Sequence, residues 1–409
     1  MTGSIRATPL GAAFDLVAAY EAPDGAFFER EGSGVATGSL AQALRVGPTP
    51  DLRSLAGAVS AALHGLGATE DVAPVAVGAL PFAAGPASLF LPRRAVVRRD
   101  DGETWLVELL DLAAEPSPFR PERVFGDLPH EAFRPKQISE EPSSEAYARS
   151  VADAVERIGS GGLEKVVLAR TVRVDAGRHL DARRLLHRLR AVEPHCYTFA
   201  APTDAGTLVG ASPELLLSRR GDRVRSTPLA GTAPRSGDPD EDRANAQALV
   251  ASAKDREEHA IVVDAVAEVL GGLCDELSFD AEPVLEPTAN VWHLATRFEG
   301  VLRDPSVTAL DLVAELHPTP AVCGTPEALA LASITELEGF DRGEYAGPVG
   351  WVDARGDGDW AIALRCAVLE GDRATLYAGA GIVAGSDPAS EVDETDRKFR
   401  AFLDSLRWG

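Results

Sequence analysis

The sequence predicts an α+β fold built from large, mostly antiparallel sheets with helices packed outside them. Two observations carry this. Short apolar runs rich in β-branched residues follow one another across tight Gly/Asp turns, which is hairpin chemistry. Helical, amphipathic stretches gather between those hairpins, as in α+β architectures. The 409 residues, 45% hydrophobic and 25% charged, have an ordinary globular composition and length enough for one large domain or two.

Along the chain, residues 1–112 form an N-terminal part whose strongest strand signals are Val75–Phe82 and Ser88–Arg98. Residues 113–144 are polar and rich in Pro and Glu, and are expected to connect over the surface. From 145 to 409 the pattern sharpens. Glu145–Ile158 is helical and closes on Gly159, Gly161 and Gly162. Lys165–Val174 is a strand and Asp181–Val192 a helix. Thr207–Leu217 and Arg223–Leu229 read as a hairpin, and Asp240–Leu273 as a long helix with room for an interruption. A meander follows, with strands near Val349–Asp353, Trp360–Leu369 and Thr375–Ile382, before a final helix from about Pro388 to Leu406. The two regions are expected to interweave as one domain.

Composition excludes several functions. Asp and Glu number 63 against 40 Lys and Arg, a net charge of −23, so nucleic acid and anionic membrane are poor partners. An anionic substrate would also be repelled at long range, and needs locally placed cations or a metal. Cys196, Cys274, Cys323 and Cys366 are scattered and fit neither a zinc site nor a disulfide framework. With no signal peptide or membrane span legible, the expectation is a soluble cytoplasmic protein, by default a monomer.

Four constellations stand out, each with an ordinary reading beside it. Asp255 and Glu258 share a helix face, as do Glu391 and Glu394, with Lys398 one turn on. Hard oxygen ligands from two helices suit Mg²⁺, although such spacing more often decorates a solvated face. Lys165 opens an apolar strand; it either reaches water or, if buried, has the lowered pKa of a base. Glu214, in VGASPELLL, either initiates a strand at the surface or is held protonated as a general acid. Arg365 lies inside an apolar run where burial would demand a partner, a bidentate carboxylate being the natural one. Gly379 and Gly381 permit backbone approach to a ligand or merely tight packing. His259, His293 and His317 are isolated, and suit polar-core or substrate-contact roles better than metal ligation.

In order, the runs EKVVLAR, GASPELLL, TPLAGTAPR, KDREEHAIVV, VWHLATRFEG, LHPTPAVCGTP, GEYAGPVGW, ALRCAVL, YAGAGIV and EVDETDRK resemble those of the chorismate-utilising enzymes, over about residues 145–406. That resemblance implies the family's fold and a chorismate-binding catalytic region over 145–409. It implies that Glu258 and Glu394 ligate Mg²⁺, with Glu391 close by through water. The metal would take the ring carboxylate, aided by Lys398 and the Gly231 backbone. Arg365, Tyr345 and the Gly379 backbone would hold the enolpyruvyl carboxylate, with His293 and Ala321 lining the ring. Lys165 as base on water and Glu214 as acid imply isochorismate formation. Ala230 in PLAGT, where aminodeoxychorismate synthases carry a lysine, leaves the nucleophile position open to water. Ala321 and Val322 keep the ring side apolar, which separates this expectation from a salicylate synthase that goes on to eliminate pyruvate. A non-catalytic ligand-binding relative would show a damaged constellation, and none of these positions is damaged. The implied route is toward siderophore 2,3-dihydroxybenzoate.

Overall fold

The computed structural model describes residues 4–11, 14–66, 68–69, 71–110 and 135–406. Its strands form sheets of twelve, nine and three, and every described pairing is antiparallel. In the twelve-stranded sheet the N-terminal strand Phe27–Arg30 pairs with Tyr197–Thr203. From there the order runs through Gly206–Ser212, Cys366–Glu370, Arg373–Ile382 and Lys165–Asp175. In the nine-stranded sheet Val75–Ala79 pairs with Pro348–Asp353. Strands from both ends of the chain thus complete both large sheets.

Side-chain alternation explains the layering. Leu208 points into a core shared with the nine-stranded sheet, where it joins Phe199, Leu217, Val352 and Trp360. Val209 and Ala211 point the other way, under the helices Ala182–Val192 and Pro388–Leu406, with Leu185, Leu189, Phe399 and Phe402. The central strands of the larger sheet are therefore covered on both faces, and Lys165–Asp175 is buried along nearly all its length despite carrying Lys165, Arg170 and Thr171.

Three runs that read as single strands are each broken. Ser88–Arg98 divides into Ala87–Leu91 and Arg94–Arg98; Thr207–Leu217 divides at Pro213-Glu214. Trp360–Leu369 divides at Ala363-Leu364-Arg365. In each case one half lies in the nine-stranded sheet and the other in the twelve-stranded sheet. Apolar residues resume on both sides of each corner, and the polar or proline residues at the turn, such as Pro92-Arg93 and Pro213-Glu214, are too few to mark a change of sheet. The expected long helix is two, Pro239–Ala251 and Ala253–Leu273, divided where Ser252 caps the second. Most of the expected 113–144 connection lies outside the described residues. Its end is a strand, Gln137–Glu141, paired with Lys165–Asp175. No helix among the described residues is long and apolar enough to cross a membrane.

Phe199 is fully buried and lies beside Gly210, where any side chain would strike its ring. Phe199→Ala should destabilise the protein by about 3–5 kcal/mol in urea unfolding, the usual cost of deleting a buried aromatic ring.

Candidate active site

Two of the three corners lie side by side. Ala211 N donates to Arg365 O at 3.3 Å, and Ile362 N donates to Glu214 O at 3.2 Å. A two-stranded ribbon therefore leaves one sheet for the other at Pro213-Glu214 and Ala363–Arg365, and both corners open into one cleft. Arg365 has φ 49°, and Ala346, also in the cleft wall, has φ 63°. Non-glycine residues in this region are strained, and such strain concentrates at functional sites.

Around that cleft stand Glu214, Gly231, Glu258, His293, Ala321, Tyr345, Arg365, Gly379, Glu394 and Lys398. Its empty volume is about 690 Å³, mouth included. Lys165 lies just behind the wall and Glu391 further along its helix, so the fold gathers nearly every residue singled out from the sequence. The sequence marks a bend at Pro213, but neither the change of sheet at the corners nor this convergence is visible in its spacing.

Glu214 is 3% exposed, and burial pushes its carboxyl up to about 8, against a smaller opposing pull from the Lys165 charge. Lys165 is wholly buried. Its Nζ lies 3.1 Å from Glu258 Oε1, yet the directions are wrong for a hydrogen bond and Nζ has no such partner. The surface readings of both residues are therefore excluded. Gly381 explains how this ion pair fits. A methyl group there would overlap Glu258 Oε1 and lie 3.1 Å from Lys165 Cε.

Gly231 sits in a β-bulge between Leu229–Pro234 and Val291–Ala295, with φ 77°. The bulge aims its carbonyl at His293 Nδ1, 3.1 Å away. On the opposite ring nitrogen, Nε2 lies 2.9 Å from Arg365 Nη2. A guanidinium only donates, so Nε2 accepts and Nδ1 carries the proton to Gly231 O. Burial and the neighbouring Arg365 charge hold His293 well below its ordinary pKa, so the ring is neutral. The carboxylate partner expected for Arg365 is absent. No carboxylate among the described residues is within ion-pair distance of it, because His293 fills that side. Burial lowers the Arg365 pKa, with Glu193 opposing.

The helix Pro388–Leu406 brings Glu394 and Lys398 to the cleft, 2.6 Å apart, and Lys398 Nζ also donates to Gly379 O at 2.8 Å. Burial alone would raise the Glu394 carboxyl; Lys398 and further cations more than offset it, and the net direction is down. Glu391 is raised, by burial and then by the Glu394 charge, and bonds Lys254 Nζ at 2.6 Å.

Sequence reasoning missed Arg342. It pairs with Glu338 in the core and donates to Val167 O and Val322 O at 2.8 Å, while Glu338 accepts from Ala169 N. This pair fastens the strand that carries Lys165 to the Ala321-Val322 segment. Its only sequence mark is its place three residues before Tyr345, in FDRGEY.

A family model, "Chorismate binding enzyme", matches residues 87–407. The chain belongs to that family. Isochorismate synthase DhbC of Bacillus subtilis is 48% identical over 272 residues, covering 65% of this chain and 68% of the relative. Isochorismate synthase EntC of Escherichia coli K12 is 39% identical over 333 residues, covering 81% and 80%. The crystal structure of DhbC from Bacillus anthracis superposes with TM-score 0.82 at 35% identity, covering 96% of this chain and 99% of that one.

Chorismate-binding enzymes imply a metal, and the residues here fit one. Glu258 and Glu394 present hard oxygens to one cleft, and Glu258 is seated in a cradle that only a glycine leaves open. No group of three or more His, Cys, Asp and Glu that would cage an ion forms among the described residues. Gly381→Ala must push the Glu258 carboxylate from its seat. We expect about 1–3 kcal/mol of destabilisation in urea unfolding, the usual cost of overpacking.

Proposed function

We propose that the chain is an isochorismate synthase: water adds to C2 of chorismate as the C4 hydroxyl leaves. The observation that carries this reading is a buried amine without a hydrogen-bond partner, Lys165, electrically coupled to a buried carboxyl held protonated, Glu214. Kinship with enzymes of that name over most of the chain supports it.

In this mechanism Lys165 takes a proton from the attacking water. The new C–O bond forms at C2, the ring double bond shifts, and the C4–O bond breaks. Glu214 gives its proton to the departing hydroxyl, which leaves as water. One water enters and one leaves, so substrate and product are isomers. Arg365 and the Gly379 backbone hold the enolpyruvyl carboxylate, with Tyr345 beside them, and His293 keeps the Arg365 guanidinium aimed. Glu258 and Glu394 would hold Mg²⁺, with Glu391 acting through water, and Lys398 would assist at the ring carboxylate. Bound there, Mg²⁺ would neutralise the ring carboxylate and draw electron density from the ring. Ala230 leaves the space beside the nucleophile free, and Ala321 with Val322 keeps the ring side apolar. These features support an arrest at isochorismate, the precursor of 2,3-dihydroxybenzoate in siderophore synthesis.

Chorismate and Mg²⁺ should yield isochorismate by NMR; salicylate with an equal amount of pyruvate would instead identify a lyase. Glu214→Gln should bind chorismate but lose turnover by at least about 10²-fold, since shape is kept and the proton is removed. Because Glu214 serves while protonated, kcat/KM should fall as pH rises through about 8. A profile flat to well above that value would refute the assignment. Glu394→Ala should weaken Mg²⁺ dependence and chorismate affinity together in steady-state kinetics, and unchanged affinity at ordinary Mg²⁺ would exclude Glu394 as a ligand.

A further inference from the structure

Lys254, bonded to Glu391, is a cation near the candidate metal carboxylates that the mechanism leaves unused. It stands second in the helix Ala253–Leu273, where the positive end of the helix dipole disfavours a cation. Its ammonium turns away from solvent to bond Glu391 at 2.6 Å, half-buried. Glu258 lies one turn on along the same helix, and both Glu258 and Glu394 act on the Lys254 charge. The three candidate metal carboxylates therefore each face a lysine: Glu258 faces Lys165, Glu394 faces Lys398, and Glu391 faces Lys254. Lys165 and Lys398 have other work in the cleft. Lys254 has none, and its position goes against its own helix.

We propose that Lys254 is the resident counter-ion of the metal site, a positioning residue that holds Glu391 and neutralises the acidic cluster when no divalent cation is bound. This rests on the Mg²⁺ reading above. Buried carboxylates close together are costly without a neighbouring positive charge. Lys254 supplies that charge in the metal-free protein, so the helix Pro388–Leu406 can stay docked. The same charge opposes an incoming divalent cation. Lys254 thereby lowers Mg²⁺ affinity, making binding an exchange of partners, with Glu391 released from lysine toward the ion's water shell.

The test is Mg²⁺ titration calorimetry, together with thermal unfolding in EDTA and in Mg²⁺, on the full chain. Lys254→Met keeps the length of the side chain and removes its charge. It should bind Mg²⁺ at least ten-fold more tightly than the parent, melt lower in EDTA, and gain more from Mg²⁺. Lys254→Arg should behave as the parent. The double variant K254M/E391Q should return near parental affinity, because both partners are gone. If Mg²⁺ binds and stabilises the parent but Lys254→Met binds it equally or more weakly, the Lys254 assignment falls alone. Absence of Mg²⁺ binding to every variant and the parent overturns the metal reading and this inference together.

Discussion

The corner where a two-stranded ribbon leaves one large sheet for the other governs the site. On one side Gly206–Ser212 pairs with Cys366–Glu370; on the other, Leu215–Arg220 pairs with Gly358–Ile362. At the corner the regular ladder is interrupted, and there the chain places Glu214 and Arg365. Both project into the space that opens as the sheets diverge. Everything else in the cleft is delivered to that gap. The bulge at Gly231 brings His293, the end of Lys165–Asp175 brings Lys165, and two helices bring the glutamates. Strain gathers here: the flanking ladders hold Arg365 at positive φ, and Ala346, bonded to Ala363 O beside it, is at positive φ too.

Electrostatics follows from this placement. The protein as a whole carries −23, yet the cleft receives Arg342, Arg365 and Lys398 in its wall and Lys165 behind it. Each cation is tied by geometry. Arg342 is fixed by Glu338 and two carbonyls, Arg365 by a neutral imidazole, and Lys398 by Glu394 and the Gly379 carbonyl. Because His293 is a neutral acceptor rather than an anion, it orients Arg365 without cancelling its charge. A carboxylate in that place would have quenched the attraction for an anionic ligand.

How much was legible in the sequence depended on range. Local signals were sound: caps, turns and periodicity gave the helix at Ser144–Gly159, the strand at Lys165 and the C-terminal meander. The family resemblance gathered the site residues in order. Pro213 was legible as a bend, but the change of sheet at the corners was not, because apolar residues resume directly on either side. Placing Arg365 inside a strand and expecting a carboxylate for it were two results of that one blindness. Lys165 and Glu214 illustrate the opposite limit. Their types were plain, but their burial, which separates a surface charge from an acid–base group, is a property of elements far away in sequence. Arg342 and Lys254 act through backbone carbonyls and a distant glutamate, contacts without any sequence period.

The interleaving of early and late strands bears on how the chain is made. Phe27–Arg30 waits for Tyr197–Thr203, and Val75–Ala79 for Pro348–Asp353. During synthesis, the first strands emerge from the ribosome with open edges and apolar faces long before their partners exist. Such edges invite pairing with other chains. The nine-stranded sheet cannot close until nearly the whole polypeptide is out, so folding is in large part a post-synthetic event, dominated by contacts of long sequence separation and correspondingly slow. An architecture that buries Lys165 so thoroughly thus leaves the nascent chain with unpaired strand edges for much of its synthesis.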